Sequence, residues 1–234
     1  QRQMCIRDRS KSCIKYPQGI SGRIMKENKS KPAPAKSKIR EFIEAILTAL
    51  LIAAFIISFI VQAFKIPSGS MIPTLLVGDH LFVNKFIYGV KLPYFRATII
   101  PVTDPKREDV VVFIYPEDRS KDFIKRVIGV AGDTIEMKNK KLFINNQPYA
   151  DPYGVYDDHT MLPSDVQPRD NFGPVVVPEK SLFVMGDNRD HSLDSRFWGF
   201  VDLKDVQGKA FILYWSWNAE DKTVRWSRIA KLIR

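Results

Sequence analysis

The sequence predicts a mainly β fold: an antiparallel β-sheet domain with a smaller β-rich extension, preceded by one transmembrane helix. Three observations predict it. Residues 65–234 hold short β-branched and aromatic runs separated by turn signals. The same region has no long amphipathic helix and no alternation of strands with helices, which excludes a parallel α/β fold. Ahead of it, residues 45–64 form a 20-residue run without one charged side chain.

The N-terminal head, residues 1–44, reads as a disordered basic tail, with Lys-Pro-Ala-Pro-Ala-Lys at 31–36 and no sustained apolar periodicity. It holds twelve Lys/Arg against four Asp/Glu, whereas residues 45–234 hold 24 against 22. The formal net charge of +10 is therefore concentrated before the apolar run. That placement turns a composition suggesting nucleic acid into a topology signal, and no nucleic-acid partner is expected. Met25 opens a plausible native start, so residues 1–24 are expected to be an upstream remnant. Cys5 and Cys13 are the only cysteines, which excludes a disulfide scaffold; no metal or cofactor is expected.

The run AILTALLIAAFIISFIVQAF at 45–64 is long enough, at ~1.5 Å per residue, to span about 30 Å of hydrocarbon. A buried core helix of that length would carry a polar face, and a cleaved signal peptide has an apolar stretch of roughly 7–15 residues. A retained membrane anchor is expected. Lys26, Lys29, Lys31, Lys36, Lys38 and Arg40 precede it, so the positive-inside rule leaves the N-terminus cytoplasmic and the remainder outside.

Residues 65–234 supply strands at LFV 81–83, VVVFI 110–114, FIKRVIGV 123–130, LFI 142–144, SLFVMG 181–186 and AFILYW 210–215. Gly-Asp recurs at 78–79, 132–133 and 186–187, and Asn145-Asn146 suits a tight hairpin. Residues 148–178, rich in Pro, Asp and Tyr, read as a variable extension or long loop.

Three segments can carry chemistry. Ile66-Pro67-Ser68-Gly69-Ser70-Met71-Ile72-Pro73-Thr74 places two hydroxyls around one flexible glycine; the string by itself equally suits a polar turn. In Phe123-Ile124-Lys125-Arg126-Val127, strand alternation puts Lys125 on the face of Phe123 and Val127. Apolar neighbours there would desolvate the amine and lower its pKa, unless it snorkels from an edge strand. Residues 186–196, Gly-Asp-Asn-Arg-Asp-His-Ser-Leu-Asp-Ser-Arg, lack a calcium-loop Glu and contain two arginines, so a hydrogen-bonded network bracing a site fits better than a cation site. No G-x-S-x-G, H-E-x-x-H or phosphate-binding loop is present, and His80, His159 and His191 have no triad setting.

Four strings, PSGSMIPT at 67–74, REDVVVFIYP at 107–116, KRVIGVAGD at 125–133 and GDNRDHSLDSRFWG at 186–199, together resemble the bacterial type I signal peptidases, in the family's order. The resemblance covers nearly all of 45–234. It implies that Ser70 is the nucleophile and Lys125 the general base. It implies an oxyanion hole of the Ser70 N–H and the Ser68 hydroxyl, and Ser192 as the residue orienting the lysine. It pairs Asp194 with Arg196 and Asp187 with Arg126, and puts Phe64, Ile66, Met71, Leu75 and Ile124 around pockets for small side chains. The sequence departs from the family's usual residues at Glu108, where glycine is common, at Ala131 and at His191.

The function so implied is a membrane-bound serine endopeptidase that removes signal peptides from exported preproteins, cutting after small residues at A-x-A-like sites. The substrate would bind extended beside the Ile124 strand. The implied setting is the bacterial inner membrane with the domain in the periplasm, near the secretion translocon. A self-cleaving repressor is disfavoured by the absence of a helix-turn-helix in the first 64 residues. A membrane-anchored β-domain for binding or assembly, or a narrow-substrate peptidase of the same family, stays open at this level.

Overall fold

The computed structural model describes residues 38–91, 98–100 and 102–234. Of the disordered tail expected over 1–44, residues 1–37, with Cys5, Cys13, the suspected remnant 1–24 and the Met25 start, lie outside the described residues, and residues 38–44 are helical instead. The chain divides into two units, residues 1–44 and 45–234. Helix α1 (Lys38–Phe59) begins in the first and continues into the second. In the first unit Arg40 Nε donates to Glu44 Oε1 at 2.9 Å, one helical turn apart.

The predicted span over 45–64 does not form as one helix. α1 ends at Phe59, Ile60 turns, and β1 (Val61–Lys65) continues as a strand. It pairs antiparallel with β2 (Asp79–Asn84), from Val61↔Asn84 to Lys65↔His80. The reason is tertiary: the apolar run is equally compatible with helix and strand, and a neighbouring strand supplies hydrogen bonds that helix continuation would forgo. The uncharged part of α1, residues 45–59, is about 22 Å long at ~1.5 Å per residue. Among the described residues no helix is long and apolar enough to cross a membrane.

The remaining strands follow in order: β3 (Val90–Lys91), β4 (Thr98–Ile100), β5 (Val110–Ile114), β6 (Asp122–Gly129), β7 (Thr134–Lys138), β8 (Lys141–Ile144), β9 (Gln147–Pro148), β10 (Phe172–Val176) and β11 (Ser181–Met185). The short helix α2 (Ser195–Trp198) precedes β12 (Val201–Asp202), β13 (Val206–Asn218) and β14 (Thr223–Val224). The main sheet runs β1-β2-β13-β5-β6-β11-β12, with β14 on β13. A second sheet runs β10-β7-β8-β9, and β3 pairs β4. All these ladders are antiparallel, as the sequence predicted.

The extension differs in extent from the expected 148–178. Its sheet draws β7 and β8 from residues before 148, and between β9 and β10 the chain forms no further ladder strand. Two tight hairpins make this possible. Asn145-Asn146, with φ of 52° and 62°, is the turn the sequence suggested. Asn139-Lys140, with φ of 48° and 63°, is a second one whose lysine hid the signal.

Period-two burial explains the main sheet. On β5, Val110 and Val112 join the core around Leu75, Leu81 and Leu213, while Val111 and Phe113 join the core around Val127, Val184 and Val206. On β11, Leu182 and Val184 face that second core and Phe183 and Met185 face a third with Ile135 and Leu142. Strands covered on both faces read as continuous apolar runs rather than alternating ones.

The loop from Ile66 to Gly78 joins β1 to β2 and closes on Gly78, whose φ of 91° favours glycine. A Cβ there would overlap the carbonyl oxygen of Trp217. Gly78→Ala is expected to destabilise the protein by about 1–3 kcal/mol through overpacking and left-handed strain, read as a lowered urea midpoint at unchanged slope.

Candidate active site

Ser70 lies in the 66–78 loop and Lys125 in the middle of β6, opposite Val111 of β5. Folding brings them together: Lys125 Nζ donates to Ser70 Oγ at 2.5 Å. Both are buried, with Ser70 9% and Lys125 4% exposed. Alternation along β6 places the Lys125 amine 5.7 Å from the centre of the Phe123 ring. Burial strips water from the ammonium and pulls its pKa down from the ordinary lysine value to about 8. Asp194 opposes this by charge, Arg196 reinforces it, and Asp187 opposes it again. Among the described residues the Ser70 N–H has no acceptor, so a donor beside the reactive hydroxyl is unspent.

The loop after β11 forms the wall behind Ser70. Asn188 N–H donates to the Ser70 carbonyl at 3.1 Å. Gly186 packs so closely that a Cβ would overlap both the Ser70 carbonyl oxygen and Ser192 Oγ. Asp194 and Arg196 form a two-point pair, Nε to Oδ1 and Nη2 to Oδ2, each at 2.8 Å, with both side chains at most 1% exposed. Asp194 Oδ2 also accepts from Gly186 N–H at 3.1 Å. Burial pushes the Asp194 carboxyl up, and Arg196, by charge and hydrogen bond, more than reverses this and holds it below the usual carboxylate range.

The second predicted pair is equally buried. Arg126 Nε donates to Asp187 Oδ1 at 2.8 Å and Nη2 to Oδ2 at 2.7 Å. Arg126 Nη1 reaches the carbonyls of Glu108 and Arg234, each at 2.8 Å. Glu108 holds φ at 73°, a conformation that favours glycine and gives a reason for the family's preference there.

Other expected placements are only partly realised. Ser192 Oγ is buried with no hydrogen-bond partner, so no bond from it to Lys125 forms. Ser68 is exposed. Of the expected pocket residues, Ile66, Met71 and Leu75 are buried in the first core, and only Phe64 and Ile124 keep exposed surface against it. The packing of β1, β2 and the loop between them thus draws these three apolar residues inward.

Sequence reasoning missed several residues. Thr74 Oγ1 donates to Asp187 Oδ2 at 2.6 Å. Arg189, wholly buried, pairs with Asp151. Arg169 joins Asp158 and Asp170, and Lys140 joins Asp190. Asp151 with Arg189, and Lys140 with Asp190, lie tens of residues apart and have no readable spacing, whereas Arg169 beside Asp170 and eleven positions after Asp158 was a local signal within 148–178.

A hydroxyl held against an amine of lowered basicity, on an inner strand of an antiparallel sheet, is an arrangement able to support nucleophilic chemistry. Residues 39–215 match the family described as signal peptidase, peptidase S26. The chain is 37% identical over 207 residues to the signal peptidase I of Pseudomonas aeruginosa, covering 76% of this chain and 72% of that one. It is 35% identical over 229 residues to that of Aquifex aeolicus, covering 76% and 85%. It is 38% identical over 174 residues to signal peptidase I P of Bacillus subtilis subsp. natto, covering 74% and 87%. The chain belongs to the signal peptidase I family of serine endopeptidases and is a peptidase.

Asp194→Asn removes the charge opposite a buried Arg196 and is expected to cost about 3–5 kcal/mol in chemical denaturation. Because the Asp194 pKa is lowered in the folded protein, the pair's contribution is complete above the unfolded carboxyl's pKa and is lost as pH falls through the folded one. Wild-type stability should therefore fall on acidification more steeply than that of the Asn variant.

Proposed function

We propose that this peptidase removes signal peptides from exported preproteins by acyl transfer through Ser70 and Lys125. The observation that carries the reading is the buried 2.5 Å contact between the two, with the amine brought down to about 8. A neutral Lys125 accepts the Ser70 proton as Oγ attacks the scissile carbonyl. The developing oxyanion takes the unspent Ser70 N–H, and the Ser68 hydroxyl, free at the surface, turns in beside it. One such donor is worth about 2.7–4 kcal/mol of barrier. Lys125 then protonates the leaving amine, and the same amine activates the water that clears the acyl-enzyme. Ser192, Asp194 and Arg196 hold the lysine's surroundings, and Arg126 with Asp187 holds the loop behind Ser70.

Specificity is for small side chains at A-x-A-like sites, met by the partly buried apolar surfaces of Phe64 and Ile124. The substrate lies extended beside the start of β6, ahead of Arg126 where the pairing with β11 ends, its backbone bonded as an added strand.

The enzyme works at the bacterial inner membrane, near the secretion translocon from which its substrates emerge. α1 carries its four charges within Lys38–Glu44, and its apolar side chains, Leu47, Leu50, Leu51, Ile52 and Phe55 among them, are exposed. Apolar side chains so exposed are stabilised by lipid, and a helix shorter than the bilayer is accommodated by local thinning and snorkelling flanks. The basic residues before it hold that side in the cytoplasm and leave the β domain periplasmic. Exposed Tyr214, Trp215, Trp217 and Trp226 present aromatic surface of the kind found at the lipid–water boundary.

Three outcomes test this reading. With a model preprotein, Ser70→Ala is expected to abolish cleavage and Lys125→Met to lower it about 10²–10⁴-fold, both variants remaining folded. Cleavage by Lys125→Met at the wild-type rate would show that the lysine is not the base. Since the amine acts only when neutral, kcat/KM is expected to rise with pH and level off above about 8. The full chain is expected to stay with membranes through alkaline carbonate extraction, and a chain lacking residues 1–59 to be released by high salt.

A further inference from the structure

The segment 151–156, inside the extension that the proposed mechanism leaves without a role, touches the catalytic framework from two sides. Asp151 receives Arg189 at two points, Nε to Oδ2 at 3.0 Å and Nη2 to Oδ1 at 2.5 Å. The third arm of Arg189, Nη1, donates to the carbonyl of Gly186. Arg189 is wholly buried, so its charge is met only by protein groups. Tyr156 OH donates to Asp151 Oδ2 at 3.0 Å, fixing the carboxylate from behind. Gly154 is needed for this turn, because a Cβ there would overlap the Asp151 carboxylate.

The backbone repeats the grip. Val155 N–H donates to the Asp187 carbonyl at 2.8 Å, and Arg189 N–H donates to the Val155 carbonyl at 2.9 Å. The loop 186–189 is thus held between the side chain of Asp151 and the main chain of Val155. Its other edge is the wall behind Ser70, through the Gly186 contact and the Asn188 N–H bond. On the second side, the Tyr153 ring lies 3.6 Å from the guanidinium carbon of Arg126 and closes the Arg126–Asp187 pair over.

We propose that residues 151–156 form a positioning clamp: Asp151, through Arg189, and Tyr153, through Arg126, fix the loop that sets the Ser70 backbone against Lys125. Neither residue touches the reacting atoms, so both are positioning residues, and the proposal rests on Ser70 and Lys125 being the reacting pair. The clamp gives the extension a part in turnover that does not require it to contact substrate.

A role in positioning has a kinetic signature that a role in substrate binding or folding lacks. The full chain in detergent is assayed on a model preprotein, with the thermal midpoint measured in parallel. Tyr153 is half-buried, so its truncation tests the clamp without emptying a core. Tyr153→Ala is expected to lower kcat about tenfold, with KM within about twofold and the midpoint little changed. Tyr153→Phe, which keeps the stacked ring, is expected to restore the wild-type kcat. Asp151→Asn, which keeps the shape and removes the charge, is expected to lower kcat in the same way; should it not fold, the Tyr153 pair decides the matter. A wild-type kcat in Tyr153→Ala, a loss confined to KM, or an equal loss in Tyr153→Ala and Tyr153→Phe would overturn the clamp. Ser70→Ala in the same series separates the two readings. If it is inactive while Tyr153→Ala is unaffected, only the clamp fails; if it still cleaves, the reacting pair has been misassigned.

Discussion

Removing the Lys125 amine from water is the constraint on which the rest of this structure turns. An ammonium among Phe123, Val111 and Val127 is unfavourable, and the protein relieves it by lowering the amine's basicity rather than by giving it a carboxylate partner. Its direct bond is to a hydroxyl, which an amine can both donate to and accept a proton from. A carboxylate at the same distance would have kept the lysine charged. Asp194 and Asp187, the nearby acids that raise the amine's pKa, are each bound at two points to an arginine of their own. Two buried acid–arginine pairs therefore let a lysine sit near carboxylates and still approach neutrality.

Buried ion pairs contribute little net stability, because desolvation offsets most of the attraction. Their value here is geometric. Each arginine also reaches main-chain carbonyls: Arg196 those of Arg169 and Arg189, Arg126 those of Glu108 and Arg234. Charged forks of this kind tie together loops that no strand ladder holds. The same design recurs at Arg189, so the loop after β11 is fixed by planar, directional bonds rather than by apolar packing. That suits a site where one glycine, Gly186, must lie flat against the Ser70 backbone.

Much of this was legible in advance. The antiparallel β character, the Asn145-Asn146 turn and the apolar face around Lys125 follow from period-two patterning and turn chemistry. Ser70 with Lys125, Arg126 with Asp187, and Asp194 with Arg196 were readable only because four motifs appear together in one order. The end of the apolar run was not legible, because Val61–Phe64 suits either helix or strand and only the pairing with β2 decides between them. Nor was the fate of Met71 and Leu75, whose place in the core depends on how the loop packs on β2 and β13. The small sheet began earlier than expected because Asn139-Lys140 forms a second tight turn.

The sequence by itself determined the residue types, the alternation along β6, and the segregation of charge ahead of the apolar run, because these depend on local periodicity. Tertiary structure supplies the contacts themselves, Ser70 with a lysine 55 positions away and Asp187 with an arginine 61 positions away, and it alone decided that Asp151 meets Arg189. It also decided that residues 151–156 grip the catalytic loop. The physical reason is common to all three: hydrogen bonds and ion pairs between distant segments leave no period in the chain, and appear only when the sheet's register fixes which loops face one another.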